Sequence, residues 1–416
     1  MPEPVNLASK INQRLPTELV RLMEAIGAIA AHQGRQLYLV GGAVRDLLLE
    51  QETFDLDLVV DGDAISLAQL LANSTGGKLV VHTRFRTANV HWNEWSIDVT
   101  TARSETYDRP GALPQVKPGS LSDDLFRRDF TINAMAIQLS PGLYGDLIDL
   151  YGGQEDLKRG LIRILHEQSF TDDATRIWRA LRYEQRFGFT LDMETLELLK
   201  RDIVMLDTIS GDRIRHELEL VLKEAYPEKF FLRADQLQVL PQIQPGLKGN
   251  DVLSVRFEQA RQVSSPNPPP TGLYLALLAY PLTGEQVEQL IERIRLPRPL
   301  AQTLRDTCEL KTEVTALGAA DLRPSHLYSI LRGYTPAALM ATSLASDSPT
   351  VNRNIHRYLT KLRYVRPTLT GEDLKKMGLT PGPRISEILN RLRTAKLDGE
   401  VTDRREEEKL VRQWLR

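Results

Sequence analysis

Leu37-Tyr38-Leu39-Val40-Gly41-Gly42-Ala43-Val44-Arg45-Asp46, followed by Phe54-Asp55-Leu56-Asp57-Leu58-Val59-Val60, decides how this chain is read. Four apolar residues form a buried strand that breaks at the glycine pair. Val44 to Leu49 resumes as a short helix, and Phe54–Val60 is the second strand. Residues i and i+2 of a strand share one face, so Asp55 and Asp57 are expected side by side. Leu56, Leu58, Val59 and Val60 make the segment a buried one, where unpaired carboxylates are costly. Two adjacent acids repel unless a cation lies between them. The arrangement predicts a magnesium site for nucleoside triphosphate chemistry.

The glycine pair fits that reading. Without Cβ atoms, Gly41 and Gly42 let the backbone approach a triphosphate, and the helix that follows offers free N–H groups. Arg45, in its first turn, can fork onto a phosphate. A lone Gly-Gly is otherwise a tight strand-to-helix turn; the nearby acids favour the phosphate reading. A third carboxylate, Asp98 in Ile97-Asp98-Val99-Thr100, either completes the metal site or accepts a hydrogen bond, and the residues leave both open.

Working outward, apolar positions at helical spacing mark a helix over residues 15–35. Further strands are expected at Lys78–His82, Asn89–His91 and Ser96–Thr100. The first 150 or so residues thus mix strands and helices as an α+β domain does. Pro110-Gly111, Pro114 and Pro118-Gly119 predict an irregular, mobile loop over Arg103–Gly119. From about Leu165 the periodicity is helical, with breaks at Gln244-Pro245-Gly246, at residues 264–270 and around Pro381-Gly382-Pro383.

Two more segments carry chemistry. In Arg127-Arg128-Asp129-Phe130-Thr131-Ile132-Asn133, Arg128 and Asp129 are adjacent and Asn133 follows Asp129 by one helical turn. That set suits a ribose and a phosphate together; the alternative is a first helical turn with an internal ion pair. In Asp172-Asp173-Ala174-Thr175-Arg176-Ile177-Trp178-Arg179-Ala180-Leu181-Arg182-Tyr183, residues three apart share a helix face. Asp173, Arg176, Arg179 and Arg182 form one stripe, with Ile177, Trp178 and Leu181 on the packed side. One acid and three arginines without balancing acids point to an anion site rather than a solvated face.

The bulk properties bound the answer. A chain of 416 residues is too long for one core. Its net charge of −2 means that any nucleic-acid contact comes from local clustering of the 53 Lys and Arg. The single Cys308 has no disulfide partner and offers no zinc cluster, which suits a reducing cytosol. Met1–Asn6 shows no charged-then-apolar leader. The most apolar run, Leu273–Tyr280, is far shorter than the about 20 residues that span a bilayer. The expectation is a soluble, cytoplasmic protein with no membrane association and no protein partner evident.

The stretches LVGGAVRDLLL, FDLDLVV, RRDFTINAMAI, DLYGGQEDL, DDATRIWRALRYEQRFGF and SGDRIRHELELVL stand in this order over residues 37–222. Together they resemble the class II tRNA nucleotidyltransferase and bacterial poly(A) polymerase family of the polymerase-β-like superfamily. Weaker likeness continues at LTPGPRISEIL and LDGEVTDRREEEKLV. The resemblance implies a polymerase-β-like α+β head over residues 1–160. An all-α remainder would follow, with a neck at 161–225 and an RNA-binding body and tail at 226–416.

By the same resemblance, Gly42 and Arg45 hold the triphosphate and Asp55 and Asp57 bind Mg2+; from the residues themselves, Gly41 is counted with the nucleotide-binding turn and Asp98 as a candidate catalytic acid. Arg128 holds the nucleotide, and Asp129 and Asn133 organise its ribose. Asp173 and Arg176 match the pair that reads the incoming base, with Arg179 and Arg182 beneath it. The family usually has Glu-Asp where this chain has Asp172-Asp173, which puts the support role of the first position in question. The chemistry agrees: cytosine and adenine each offer an amine donor beside a ring-nitrogen acceptor, which a carboxylate and a guanidinium complement. Uracil and guanine reverse the pattern, a mismatch worth about 1–3 kcal/mol. Transfer would follow the two-metal scheme, without a histidine.

The expected activity is addition of C, C and A to the tRNA 3′ end from CTP and ATP, without a template. The helical half would grip the acceptor stem and elbow through some of its arginines, among them Arg384, Arg391, Arg393, Arg404, Arg405, Arg412 and Arg416. Within the class, the alternatives are A-only addition, CC-only addition and poly(A) tailing. The full-length Arg103–Gly119 loop weighs against CC-only members, which tend to have it shortened. From other classes come a catalytically inactive RNA-binding relative and a small-molecule nucleotidyltransferase. Intact Asp55 and Asp57 disfavour the first, and the long helical body disfavours the second.

Overall fold

Seven strands in the order β3-β4-β5-β2-β1-β8-β9 build the sheet that carries the predicted acids. The computed structural model describes residues 5–51, 55–83, 86–319 and 321–415. Helices α1 (Ala8–Arg14) and α2 (Thr17–His32) lead into β1 (Leu37–Val40), α3 (Gly42–Leu48) and β2 (Asp55–Val60). Then come α4 (Ala64–Thr75), β3 (Lys78–His82), β4 (Thr87–Trp92) and β5 (Trp95–Thr101). The strands predicted from the sequence are all present, two of them longer by two or three residues. Phe54, taken as the start of the second strand, lies outside the described residues, as does the side chain of Asp55.

β2 is central because it is apolar on both faces: Leu56, Leu58, Val59 and Val60 are all buried. It runs antiparallel to β1 and parallel to β5, the one parallel pair in an otherwise antiparallel sheet. α4 packs on β4 and β5 through an apolar face that includes Leu67, Ala68 and Leu71. Asp63 starts that helix by accepting the Ile65 and Ser66 N–H groups, and Gly76 ends it at φ +71°.

The expected irregular loop over Arg103–Gly119 is instead a hairpin. β6 (Arg103–Thr106) pairs antiparallel with β7 (Gln115–Pro118), from Arg103 opposite Pro118 to Thr106 opposite Gln115. The proline and glycine signals are genuine, but Pro110-Gly111 and Pro114 fall in the connection between strands. Pro118 ends an edge strand, where no ladder donor is needed. Side-chain bonds fix the base of the hairpin, as the Glu105 carboxylate takes bonds from Arg103, Arg127 and Tyr107.

α5 (Leu121–Phe126) follows, then β8 (Met135–Gln138), β9 (Leu147–Asp149) and α6 (Gly153–Arg159). A short parallel pair joins β10 (Leu161–Ile162) to β11 (Thr190–Leu191) around α7 (Ser169–Asp172) and α8 (Thr175–Phe187).

The chain divides into two units, 1–217 and 218–416. Among its described residues, the second is helical. Its helices break where the sequence indicated, between Ile243 and Asp251, between Ser264 and Thr271, and between Lys376 and Pro383. The apolar run forms helix Thr271–Ala279, buried from Gly272 to Ala279 and packed on Arg298–Leu317 and Pro336–Ala345. Farther on, Leu374, Ile388, Leu392 and Val411 form a separate core. Beside it the fully buried Glu407 accepts the Thr368 and Leu369 N–H groups and the Lys396 ammonium. No described helix is long and apolar enough to cross a membrane.

Candidate active site

The turn between β1 and α3 begins at Val40, which the antiparallel register sets opposite Asp57. Gly41 then takes φ +71°, and a Cβ on it would lie 2.5 Å from Arg128 Nη1 and 3.2 Å from Asp57 Oδ2. Only glycine combines that backbone with that closeness. Three segments that the sequence singled out separately thus meet at one atom's breadth. They line a cavity of about 600 Å³ together with Gly42, Arg45, Asp129, Asn133, Asp173, Arg176 and Arg179.

Arg45 is 5% exposed, and its guanidinium is held from three sides. Its Nε donates to Asp46 (2.8 Å), its Nη1 donates to Asn133 Oδ1 (2.6 Å), and it lies 4.7 Å from the Phe187 ring centre. Asn133 passes the link on, since its Nδ2 donates to Asp129 Oδ1 (2.9 Å) while Arg179 Nε donates to Asp129 Oδ2 (2.8 Å). Burial alone would raise the Asp129 pKa, but the Arg179 charge and the Asn133 bond outweigh it and bring the carboxyl down to about 2. Asn133 follows Asp129 at the expected spacing, although only Thr131–Asn133 are helical, as a 3₁₀ turn. No ion pair joins Arg128 to Asp129: Arg128 Nη2 donates to the buried Asp124 (3.0 Å).

The expected helical stripe from Asp173 to Arg182 needs two corrections. Asp173 is not on the helix. It adopts an extended backbone between α7 and α8, and its Oδ1 accepts from Thr175 N (3.0 Å), Thr175 Oγ1 (2.6 Å) and Arg213 Nη2 (2.7 Å). An aspartate that bonds the N–H two residues on competes with the helical ladder, and the turn breaks there. Its Oδ2 has no partner among the described residues.

The arginines are also not without counter-charges. Arg179 pairs with Asp129, and Arg182 lies 3.6 Å from Glu217. Those acids come from elsewhere in the chain, where helical spacing gives no view of them. Arg182 sits over the Tyr183 ring and does not line the cavity. Arg176, 5% exposed, donates from Nη1 to Ser169 Oγ (2.6 Å) and from Nη2 to the Arg127 carbonyl (2.7 Å), while its side chain borders the cavity.

Asp98 stands in register with Asp57 on the neighbouring strand β5, and its Oδ1 accepts from Asn89 Nδ2 (2.9 Å). It does not line the cavity. Asp46, Glu105, Tyr107, Arg127 and Tyr183 do, and the sequence reading gave none of them a role. Tyr183 had a signal, as it follows Arg179 by four positions on α8. Glu105 and Tyr107 had none while their segment was read as irregular.

Residues 37–163 match the family model described as the poly A polymerase head domain, and residues 188–250 match one described as a probable RNA and SrmB-binding site of polymerase A. The A-adding tRNA nucleotidyltransferase of Geobacter sulfurreducens is 36% identical over 96% of this chain. The chain spans about half of that relative's length (48%). The A-adding enzyme of Halalkalibacterium halodurans is 32% identical over 99% of this chain and 96% of its own. A CCA-adding enzyme of a Geobacillus species is 29% identical over 94% and 96% of the two chains.

Among solved structures, a CCA-adding enzyme in an apo form superposes with a TM-score of 0.85 at 32% identity, covering 99% of this chain and 100% of that one. A CCA-adding enzyme in complex with ATP gives 0.84, and the Thermotoga maritima CCA-adding enzyme complexed with tRNA gives 0.80. Both are 30% identical, with all of both chains covered. A relative of nearly equal length, a matching head domain and a backbone that superposes end to end lead to one assignment: this chain belongs to the tRNA nucleotidyltransferase family of enzymes.

Proposed function

We propose that this protein transfers AMP from ATP to the 3′ end of tRNA that ends in CC, completing the terminus. The observation that carries the chemistry is the convergence of Gly41, Asp57, Arg128 and the Arg45–Asn133–Asp129–Arg179 chain on one cavity. Two relatives that are 36% and 32% identical over 96% and 99% of this chain are named A-adding, which moves A addition ahead of the full C, C and A sequence expected from the sequence reading. Addition of all three nucleotides is the second reading. It is favoured by the CCA-adding names of the superposing structures and by a base-reading pair that complements cytosine as well as adenine.

In this reading Gly41 and Gly42 admit the triphosphate, and Arg45 and Arg128 balance its charge. Asp129 and Asn133 face the ribose. Asp173 accepts the base's exocyclic amine through its open Oδ2, and Arg176 donates to the ring nitrogen. The terminal RNA hydroxyl attacks the α-phosphorus, the bond to the β-phosphate oxygen breaks, and pyrophosphate leaves. Polymerase-β-like nucleotidyltransferases generally use divalent cations.

The donor set here suits Mg2+. It is carboxylate oxygen only. Mg2+ keeps waters and phosphate oxygens and needs only one or two protein carboxylates. Asp57 and Asp55 would hold it, with Asp98 as their neighbour in the sheet. When bound, it supplies hydroxyl activation and charge neutralisation at the leaving pyrophosphate.

The domain scheme of head (1–160), neck (161–225) and RNA-gripping body and tail (226–416) belongs to the same proposal. It is supported by the RNA-binding family match at residues 188–250 and by the tRNA complex of the Thermotoga relative. In the tail, Arg391 lies over the Trp414 ring and Arg393 bonds Tyr328, while Arg416 lies outside the described residues. A cytoplasmic location accords with this substrate.

The test uses tRNA transcripts ending at the discriminator base, at C and at CC, with labelled ATP or CTP and magnesium. Incorporation of ATP alone, into the CC-ended transcript alone, is the expected result. Incorporation of both CTP and ATP into the shortest transcript would establish the second reading, while CTP alone, marking CC-only addition, or long ATP ladders on unstructured RNA would overturn both.

A further inference from the structure

A second cavity of about 440 Å³ adjoins the first, and Glu105, Tyr107, Arg127 and Arg176 border both. This shared wall is fixed. Tyr107 Oη donates to Glu105 Oε2 (2.9 Å), Arg127 Nη1 to Glu105 Oε1 (3.1 Å), and Arg176 Nη2 to the Arg127 carbonyl (2.7 Å). Arg127 is thereby engaged within the wall, while Arg176 also faces the first cavity.

On the far side stands Phe126, 44% exposed, with its ring stacked on His166 at 4.9 Å and 30° between planes. Tyr151 leans against the same ring at 5.9 Å. A large apolar ring at the end of a helix, held by two aromatic neighbours yet nearly half exposed and lining the cavity, is a stacking surface. Burial, with Arg176 nearby, brings the His166 pKa down to about 4, so the surface carries no charge at neutral pH. The other charged groups around the cavity are Asp123, Glu167 and Asp172, which are acceptors only. These carboxylates suit a ring that brings its own N–H donors.

We propose that this second cavity seats a nucleobase from the single-stranded 3′ end of the RNA, a cytosine stacked on Phe126 with its amine toward the acidic rim, while the terminal hydroxyl reaches the nucleotide cavity past the shared wall. The proposal rests on the RNA-extending reading above. It adds a specificity site that the incoming nucleotide does not occupy. Stacking on an aromatic ring accepts any base, so the acidic rim provides the preference for cytosine over uracil.

The experiment uses the full-length protein and an RNA minihelix ending in CC, with the penultimate cytosine replaced by fluorescent pyrrolo-cytosine. Stacking quenches this probe, and the titration is done without ATP. Wild-type protein is expected to quench it. Phe126→Ala should abolish the quenching and raise KM for the minihelix about tenfold while leaving KM for ATP unchanged. Phe126→Trp should restore both, which a merely structural role for the ring would not predict. Undiminished quenching by Phe126→Ala, or failure of Phe126→Trp to restore it, overturns the proposal. The quenching needs no nucleotide incorporation, so it decides the assignment of this cavity even if transfer to tRNA is not observed.

Discussion

Arg45 Nη1 and Asn133 Oδ1 meet at 2.6 Å across 88 positions of sequence, and Asn133 uses its other end to hold Asp129. One amide thus sets the spacing between Arg45 and Asp129 in the cavity wall. Asn133→Ala leaves a buried guanidinium short of an acceptor and a buried carboxylate short of a donor. Stability should fall by about 1–3 kcal/mol in urea denaturation, with a loss of tenfold or more in kcat/KM for ATP.

Gly41→Ala tests the turn itself. The new methyl meets Arg128 Nη1 at 2.5 Å and Asp57 Oδ2 at 3.2 Å on a backbone at φ +71°. The strain is about 1–3 kcal/mol, and relieving it pushes apart the two groups the cavity brings together. Circular dichroism should show a folded protein, and the transfer assay a loss of activity beyond what the lowered stability explains.

Asp57→Asn keeps the size of the side chain and removes its charge. Nucleotide addition should disappear while RNA affinity in a filter-binding assay stays at the wild-type level. Near-normal turnover by this variant would falsify the metal assignment.

Acid stability carries the signature of Asp129. Its folded pKa of about 2 lies below the 3.8 of an unperturbed aspartate, so its contribution is fully present above pH 3.8 and is lost as pH falls toward 2. The amount at stake is about 2 kcal/mol. Urea midpoints between pH 5 and pH 2 should fall steeply for wild type. They should fall less for Asp129→Asn, which starts lower and has no carboxylate to protonate.

In the second unit, the buried Glu407 carboxylate accepts two backbone N–H groups and the Lys396 ammonium at 2.8–2.9 Å. Burial opposes its ionisation, yet those donors hold its pKa below the ordinary value. Glu407→Ala strands the two backbone N–H groups and leaves Lys396 only its bond to Thr368 Oγ1, and should cost about 1–3 kcal/mol. Calorimetry should place the damage in the second unit, with the ATP affinity of the first unchanged.

Segments whose periodicity is local were legible without a structure. β3 follows from its apolar residues at its observed bounds, and the Gly-Gly turn and Asp-X-Asp strand follow from residue type and spacing. What escaped depends on partners far along the chain. The counter-acids of Arg179 and Arg182 are Asp129 and Glu217, which no helical wheel brings together. Asp173 left the helix because its side chain prefers the Thr175 N–H. The 103–118 hairpin was hidden because its two strands are four residues each and the punctuating prolines outweigh them. The stack of Phe126 on His166 needs a chain reversal that sequence spacing does not display.

Strand β1 sits inside the sheet, with Tyr38 meeting Val59 on one side and Gln138 on the other. The first neighbour is close in sequence and closes cheaply, whereas the second requires a loop of about a hundred residues. A ribosome must therefore release the chain past Gln138 before β1 gains that partner, and Asp129 and Asn133 arrive only just ahead of it. A truncated translation product that stops before Arg128 has the acidic strand but none of Arg128, Asp129 and Asn133, which line the cavity beside Asp57.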